Sequence, residues 1–333
     1  MIVDVHAHAL DEAFLAGLTK KPVAGISSEA DGKGGYAIRR GNEAQVATLD
    51  PNLHDLPRRL ESLKRRNVSL QLFGPSPGFL AWQDGAANVE LVRALHAQAI
   101  ALAAQSEGLM EPMVLPALGE PEKAASELER AVKEHGFRAM MLPSSAGTRA
   151  LDDPCFGELF ATIERLGLLV FMHPTSGFPT DRFGINGMNV LLGWPFETTL
   201  SVTRLLFGGV LHRHPGLKLV LGHGGGNIMF LRGRLNAAYE AEGWEAHPYY
   251  RAQIDRLPTE YLDRLYYDTC TLSPDSTRFL LDVMAPDRVL FGSDYPFDVG
   301  DPEGKRAQPV IDTLPGDIKA KVLSKNALSL LPG

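Results

Sequence analysis

An α/β barrel of eight parallel strands, the (β/α)8 or TIM-barrel architecture, is the fold this sequence predicts, and three observations predict it. Short apolar runs rich in β-branched residues recur eight times down the chain, with helix-like stretches between them. Several of these runs are apolar throughout rather than alternating, as expected of parallel strands covered on both faces. The chain has 333 residues, a length that suits one large domain with a substantial core. Strand–helix alternation repeated this often points to a closed barrel. A doubly wound open sheet is the alternative, weakened because no Gly-x-Gly-x-x-Gly opens a helix after the first strand.

The strand candidates occupy residues 2–6, 69–73, 113–117, 139–143, 168–173, 217–223, 265–269 and 288–294. LLVFMH carries no polar residue until its last position, and LKLVLGH only Lys218 before its final histidine. Helical patterns cover 88–107, 121–134, 156–166, 198–212 and 276–283. Residues 9–57 are polar and irregular, with Gly32, Gly34, Gly35 and Gly41 in a cluster. They read as a loop insertion, a lid or a disordered segment, leaving the end of the first strand where barrel active sites lie. A second excursion, 175–197, follows the fifth strand and contains Gly184, Gly187, Gly193 and Trp194. With no repeat, low-complexity tract or linker, a single domain over 1–333 is the simplest organisation.

Apolar residues make up 44 % and charged residues 22 %, and the formal net charge is −7. That is an ordinary globular composition with no general affinity for phosphate backbones, which argues against nucleic acid as a partner. It leaves room for an acidic small molecule bound by local cations. No apolar run approaches the ~20 residues of a membrane helix, and MIVDVHAH is unlike a signal peptide. A cytoplasmic protein with no membrane partner is the expectation. Cys155 and Cys270 form neither a disulfide framework nor a Cys-x-x-Cys pair, and read as reduced thiols.

The chemistry lies where the apolar runs end. The first ends in His6 and His8, the fifth in His173, the sixth in His223 and the eighth in Asp294, in a chain with ten histidines. In a barrel these ends converge on one face. His6 and His8, two apart on a strand, point the same way. Alone the pair could be a polar strand end; with His173 and Asp294 it makes a mixed nitrogen and oxygen site for one divalent cation. Zn2+ suits that set first, and Mn2+, Fe2+ or Co2+ can also occupy it. His223, followed by three glycines, reads as a general base or electrophile, or else as a fifth ligand or structural histidine. Asp4 shares the face of His6 and His8 one step deeper, as an interior polar residue or a support for the ligands. Arg232 and Arg234 follow His223 on a helix, and Arg234 is the one read as reaching an anionic substrate or a neighbouring subunit.

These residues bring out a resemblance. VDVHAH at the start, FMHP at 171–174, GWPFETT at 193–199, LVLGHGGG at 219–226 with GR at 233–234, and FGSDYPF at 291–297 resemble the amidohydrolase superfamily. Within it they are similar to the branch of 2-amino-3-carboxymuconate-6-semialdehyde decarboxylase and related metal-dependent decarboxylases. The motifs run from end to end of the chain, and they specify the branch better than the substrate. The resemblance implies metal ligands at His6, His8, His173 and Asp294, with His223 activating the metal-bound water. It implies that Arg234 reaches a neighbouring subunit's site and binds a substrate carboxylate, and that a second carboxylate-binding arginine lies in the loop after the first strand. Arg39 or Arg40 fits, and the choice stays open. Trp194 and Phe297 fall where pocket-lining aromatics occur. AMMLP in the fourth strand has no lysine to bridge two metals, which agrees with one cation per chain.

The leading expectation is therefore a metal-dependent carboxy-lyase: non-oxidative decarboxylation of an unsaturated or aromatic acid, using metal-activated water or substrate oxygen. His223 serves as base, an arginine orients the departing carboxylate, and Asp294 is a candidate for protonating carbon. A hydrolase or hydratase of a related acid on the same mononuclear site is the second reading, and a barrel that binds without turnover the third. The eleven-residue step from His223 to Arg234 carries the arginine about three helical turns from its own site. A homodimer, or a larger even-numbered oligomer, sharing that arginine is the expected assembly.

Overall fold

The computed structural model describes residues 1–41, 47–80, 85–175 and 187–333. Eight parallel strands form its main sheet: β1 (Ile2–Asp4), β2 (Val68–Phe73), β3 (Met110–Val114), β4 (Ala139–Pro143), β5 (Leu169–His173), β6 (Lys218–Leu221), β7 (Tyr266–Asp268) and β8 (Val289–Leu290). They lie side by side in chain order. The ring closes just past the first and last strands, where Val5 N–H donates to the Phe291 carbonyl at 3.0 Å and Asp294 N–H to the His6 carbonyl at 2.8 Å. This is the predicted barrel.

Every residue of β4 and β5 is buried, because helices cover their outer face and side chains fill the barrel. The helix Pro121–His135 shows how the outer layer is built. Proline occupies its first turn, where no N–H is needed, and Ala124, Ala125, Leu128 and Ala131 form its buried stripe. No helix among the described residues is long and apolar enough to cross a membrane.

Three expectations change. The third strand begins at Met110 rather than 113, since Pro112, a residue that argues against a strand interior, is accommodated opposite Phe73. The helix expected over 198–212 starts at Trp194 and ends at Phe207; Gly208 and Gly209 then break the pattern that suggests continuity to 212. The largest correction is the segment 9–57, which is no irregular loop. It contains a helix, Glu12–Lys20, and an antiparallel sheet of Ile26–Ala30, Tyr36–Arg40 and Ala47–Leu49. Leu10, Leu15, Leu18, Ile26, Ile38, Leu49 and Leu53 are buried in one cluster with barrel residues. These apolar residues are spaced among polar ones, so the burial was masked by composition. The two ends of the segment are joined: Leu10 N–H donates to the Leu53 carbonyl at 3.0 Å. Of the second excursion, residues 176–186, including Gly184, lie outside the described residues.

Candidate metal centre

Four ligand atoms, one each from His6, His8, His173 and Asp294, lie within 4.8 Å of one another, and all four residues are buried. The hydrogen bonding of the imidazoles explains their orientation. His6 Nδ1 lies 2.6 Å from Asp268 Oδ2, His8 Nδ1 2.7 Å from the Pro75 carbonyl and His173 Nδ1 2.7 Å from the Pro174 carbonyl. Each partner is an acceptor, so each Nδ1 carries the proton and each Nε2 keeps its lone pair. His6 Nε2, His8 Nε2, His173 Nε2 and Asp294 Oδ1 are all buried without a hydrogen-bond partner. The nitrogens of His6 and His8 each stand 3.2 Å from that oxygen, within ion-pair range but outside hydrogen-bond geometry. Burying converging acceptors is costly unless a positive charge sits among them. A divalent cation fits this donor set, which is the mixed nitrogen and oxygen coordination of zinc-type sites.

Burial and mutual charge perturb all four groups. Burial works against the His6 imidazolium, but Asp294 and the bond to Asp268 outweigh it and hold its pKa well above the ordinary imidazole value. Burial pushes His8 down, and burial together with the neighbouring His8, His6 and His223 rings pushes His173 well down. Burial opposes ionisation of Asp294, yet His6 and the contacts from His223, His6 and His8 keep its pKa well below the usual carboxylate range. A bound dication favours the neutral imidazoles, so cation and proton compete for the same atoms.

Several supports were not singled out in the sequence. Asp268 ends β7 and binds His6; its other oxygen accepts from Gly224 N–H at 2.8 Å. Gly292 makes that contact possible, since a Cβ there would meet the Cβ atoms of both Asp268 and His6 at 2.9 Å. Asp4, placed one step below the ligands as expected, accepts from Ser293 Oγ at 2.6 Å, Ser293 N–H at 3.0 Å and Gln71 Nε2 at 2.9 Å. Gln71 in turn accepts from the buried Arg59, whose second nitrogen reaches the His8 carbonyl and whose guanidinium lies 4.5 Å from the Tyr295 ring centre. Burial lowers the Arg59 pKa to about 10. Asp268 could have been found by the signal that exposed the histidines, a polar residue ending an apolar strand; the Arg59–Gln71–Asp4 chain could not, because only the fold brings it together.

His223 stands beside the four-atom cluster rather than among its members. Its backbone is left-handed, with φ 55°, because the chain turns sharply after β6. Its Nε2 lies 3.5 Å from Asp294 Oδ2. With Trp194, Met229, Cys270, Phe279 and Asp294 it lines a cavity of about 330 Å³. Trp194 opens its helix with its ring centre 6.1 Å from that of His173, and its Nε1 is buried without a partner. Phe297 packs 5.2 Å from the His8 ring. The arginines lie apart from the cluster. Arg39 is half-exposed and 3.4 Å from Glu29, whereas Arg40 has a buried, unpartnered Nε. Arg40 alternates onto the face of Ile38, which is buried in the core. Arg234 is exposed and has no partner among the described residues, and Arg232 is tied to Asp263 at 2.6 Å.

Comparison with known proteins agrees with this geometry. Residues 3–333 match the family described as Amidohydrolase. The chain is 28 % identical over 285 residues to 2-amino-3-carboxymuconate-6-semialdehyde decarboxylase of Dictyostelium discoideum, covering 85 % of this chain and 78 % of that one. It is 30 % identical over 193 residues to gamma-resorcylate decarboxylase of a Polaromonas species, covering 54 % and 57 %. In structure it is similar to a Polaromonas dihydroxybenzoic acid decarboxylase with bound manganese and the inhibitor 2-nitroresorcinol, with a TM-score of 0.76, 19 % identity and coverage of 99 % and 96 %.

Proposed function

The chain belongs to the amidohydrolase family, and from that premise we propose that it is a metal-dependent decarboxylase of aromatic or unsaturated carboxylic acids. The observation that carries this reading is the convergence of three Nε2 lone pairs and one carboxylate oxygen beside a largely apolar cavity of about 330 Å³. That is a Lewis-acid centre facing room for one substituted ring. The decarboxylase relatives support a lyase over a hydrolase or hydratase. We assign His6, His8, His173 and Asp294 as the ligands and zinc as the cation, with manganese next, since the similar Polaromonas structure holds it.

When bound, the cation supplies Lewis acidity to a substrate oxygen. His223 opens on the cavity and exchanges a proton with the substrate, and Asp294 Oδ2, 3.5 Å from its Nε2, lies on the path of that proton. As the bond to the carboxyl group breaks, carbon dioxide leaves, and the electron pair left on carbon forms the new C–H bond with the delivered proton. Trp194 walls the ring, Phe297 backs the His8 imidazole beside it, and the unpartnered indole N–H is a donor for a substrate oxygen. Of the two loop arginines, Arg40 is the better carboxylate partner, because Arg39 is engaged by Glu29.

The test is direct. Protein purified without added metal should hold about one divalent ion per chain and release carbon dioxide from members of a panel of hydroxybenzoic and related unsaturated acids. Chelation should abolish this and metal restore it. A product that keeps the carboxyl carbon and gains water would replace this reading with the hydrolytic one.

We further propose a homodimer, or a larger even oligomer, in which Arg234 is donated across the interface. It stands one helical turn after Phe230, which is 84 % exposed, so a cation and a large apolar side chain share one outward face. Mixing inactive His223→Ala and Arg234→Ala proteins after partial dissociation should restore part of the activity, because some hybrids hold one site with both native residues. Hybrids that form without recovery would place Arg234 outside the neighbour's site.

A further inference from the structure

We propose that His6, His223 and Cys270 form a second cation position, selective for soft, thiophilic ions, that competes with the four-residue centre and holds such ions in an inactive form. It rests on the metal-centre reading only in that both positions draw on His6. A ring nitrogen of each histidine and the Cys270 sulfur lie within 4.8 Å of one another. Cys270 is 1 % exposed and lines the same cavity wall as His223.

The grouping is built into the fold. The Asp268 carboxylate faces His6 Nδ1 at 2.6 Å, accepts Gly224 N–H at 2.8 Å and faces Cys270 N–H at 3.3 Å. One buried carboxylate therefore positions the first histidine, the turn that carries the second and the backbone of the cysteine. Gly224, at φ 62°, lets the turns after β6 and β7 touch: a Cβ there would meet Thr271 Cγ2 at 2.7 Å. Two ligand atoms in this group are unclaimed by the protein, since His6 Nε2 and His223 Nδ1 are both buried without a hydrogen-bond partner.

The chemistry divides the two positions. Three imidazoles and a carboxylate suit borderline and hard cations; two imidazoles and a thiolate suit soft ones. With Nδ1 of His6 held by Asp268, only Nε2 remains for coordination, so one cation occupies one position or the other. Capture breaks the Cys270 S–H bond, sends its proton to solvent and uses the sulfur electron pair to bind the cation, with no change of oxidation state. It also takes a lone pair from His223, and proton transfer stops.

Cadmium is the probe. In full-length protein carrying Cys155→Ser, Cys270 is the sole remaining thiol of the two in the chain. After chelation, one equivalent of cadmium should bind per chain with ultraviolet sulfur-to-cadmium charge-transfer absorbance and release of the thiol proton. Adding Cys270→Ser should remove the absorbance. Cadmium bound at one per chain with no such absorbance, or no cadmium bound, overturns the proposal, and the single-thiol protein decides this even if Cys270→Ser fails to fold. The two readings fail separately. Decarboxylation with manganese but no cadmium–sulfur absorbance retains the function and eliminates this position; the absorbance without decarboxylation of any acid does the reverse.

Discussion

Replacing His223 with alanine is expected to leave the cation bound while turnover falls by about 10²–10⁴-fold, the usual effect of removing a general acid–base group. The four clustered ligand atoms come from other residues, and the alanine takes away none of them. What disappears is the imidazole that faces both the cavity and, at 3.5 Å, Asp294 Oδ2. The left-handed backbone at this position, φ 55°, is strained for alanine as it is for histidine, so the turn should survive. Metal analysis and carbon dioxide release on the same preparation make the comparison. Loss of the native cation from a folded His223→Ala protein would make His223 a ligand and overturn the division of roles.

The second large effect is expected at Asp268. Its replacement by alanine should weaken cation binding by roughly 10–100-fold, as losses of an outer partner of a metal-binding histidine do. This carboxylate holds the Nδ1 proton of His6 at 2.6 Å, fixing the tautomer that presents Nε2 to the cation. Removing it also frees Gly224 N–H, bound at 2.8 Å, so the turn bearing His223 loosens and turnover falls with affinity. Chelator competition across pH reads the effect. His6 is held well above the ordinary imidazole value, in part by this bond; without it the proton competes less at low pH, and the pH dependence of cation affinity should flatten. Unchanged affinity in Asp268→Ala would show that His6 is oriented by packing alone.

The barrel and the centre of its site were legible because both follow from local pattern. An apolar strand that ends in histidine carries its own signal, and the closed barrel gathers such ends on one face. His6, His8, His173 and Asp294 therefore emerged as a group without any contact being known. Asp268 carries the same signal at the end of β7, but one carboxylate at a strand end, without a histidine beside it, does not stand out. Arg59 carried none: on the sequence it is one arginine in a charged helix, Leu56–Arg65, and only the fold buries it against His8. The same limit hid the structure of residues 9–57, whose buried apolar residues are spread over a helix, a three-stranded sheet and the flanking turns, with no continuous apolar run. Between Arg39 and Arg40 the sequence offered no choice; only the strand Tyr36–Arg40 separates them, since neighbours on a strand face opposite ways.

The hydrogen bond between Leu10 and Leu53 acts as a clasp. A segment whose ends meet imposes no separation on the barrel, whatever its interior holds. Arg59 reinforces the closure just beyond, returning to the His8 carbonyl from the far side of the segment. Between those two fastenings Leu15, Leu18, Ile38 and Leu49 pack in one buried cluster with Val3 and Val5, on the run that leads into His6. The segment is thus fastened to the barrel twice, by its joined ends and by its buried side chains, so a cavity cut at one of its leucines would be felt at the strand that leads into His6.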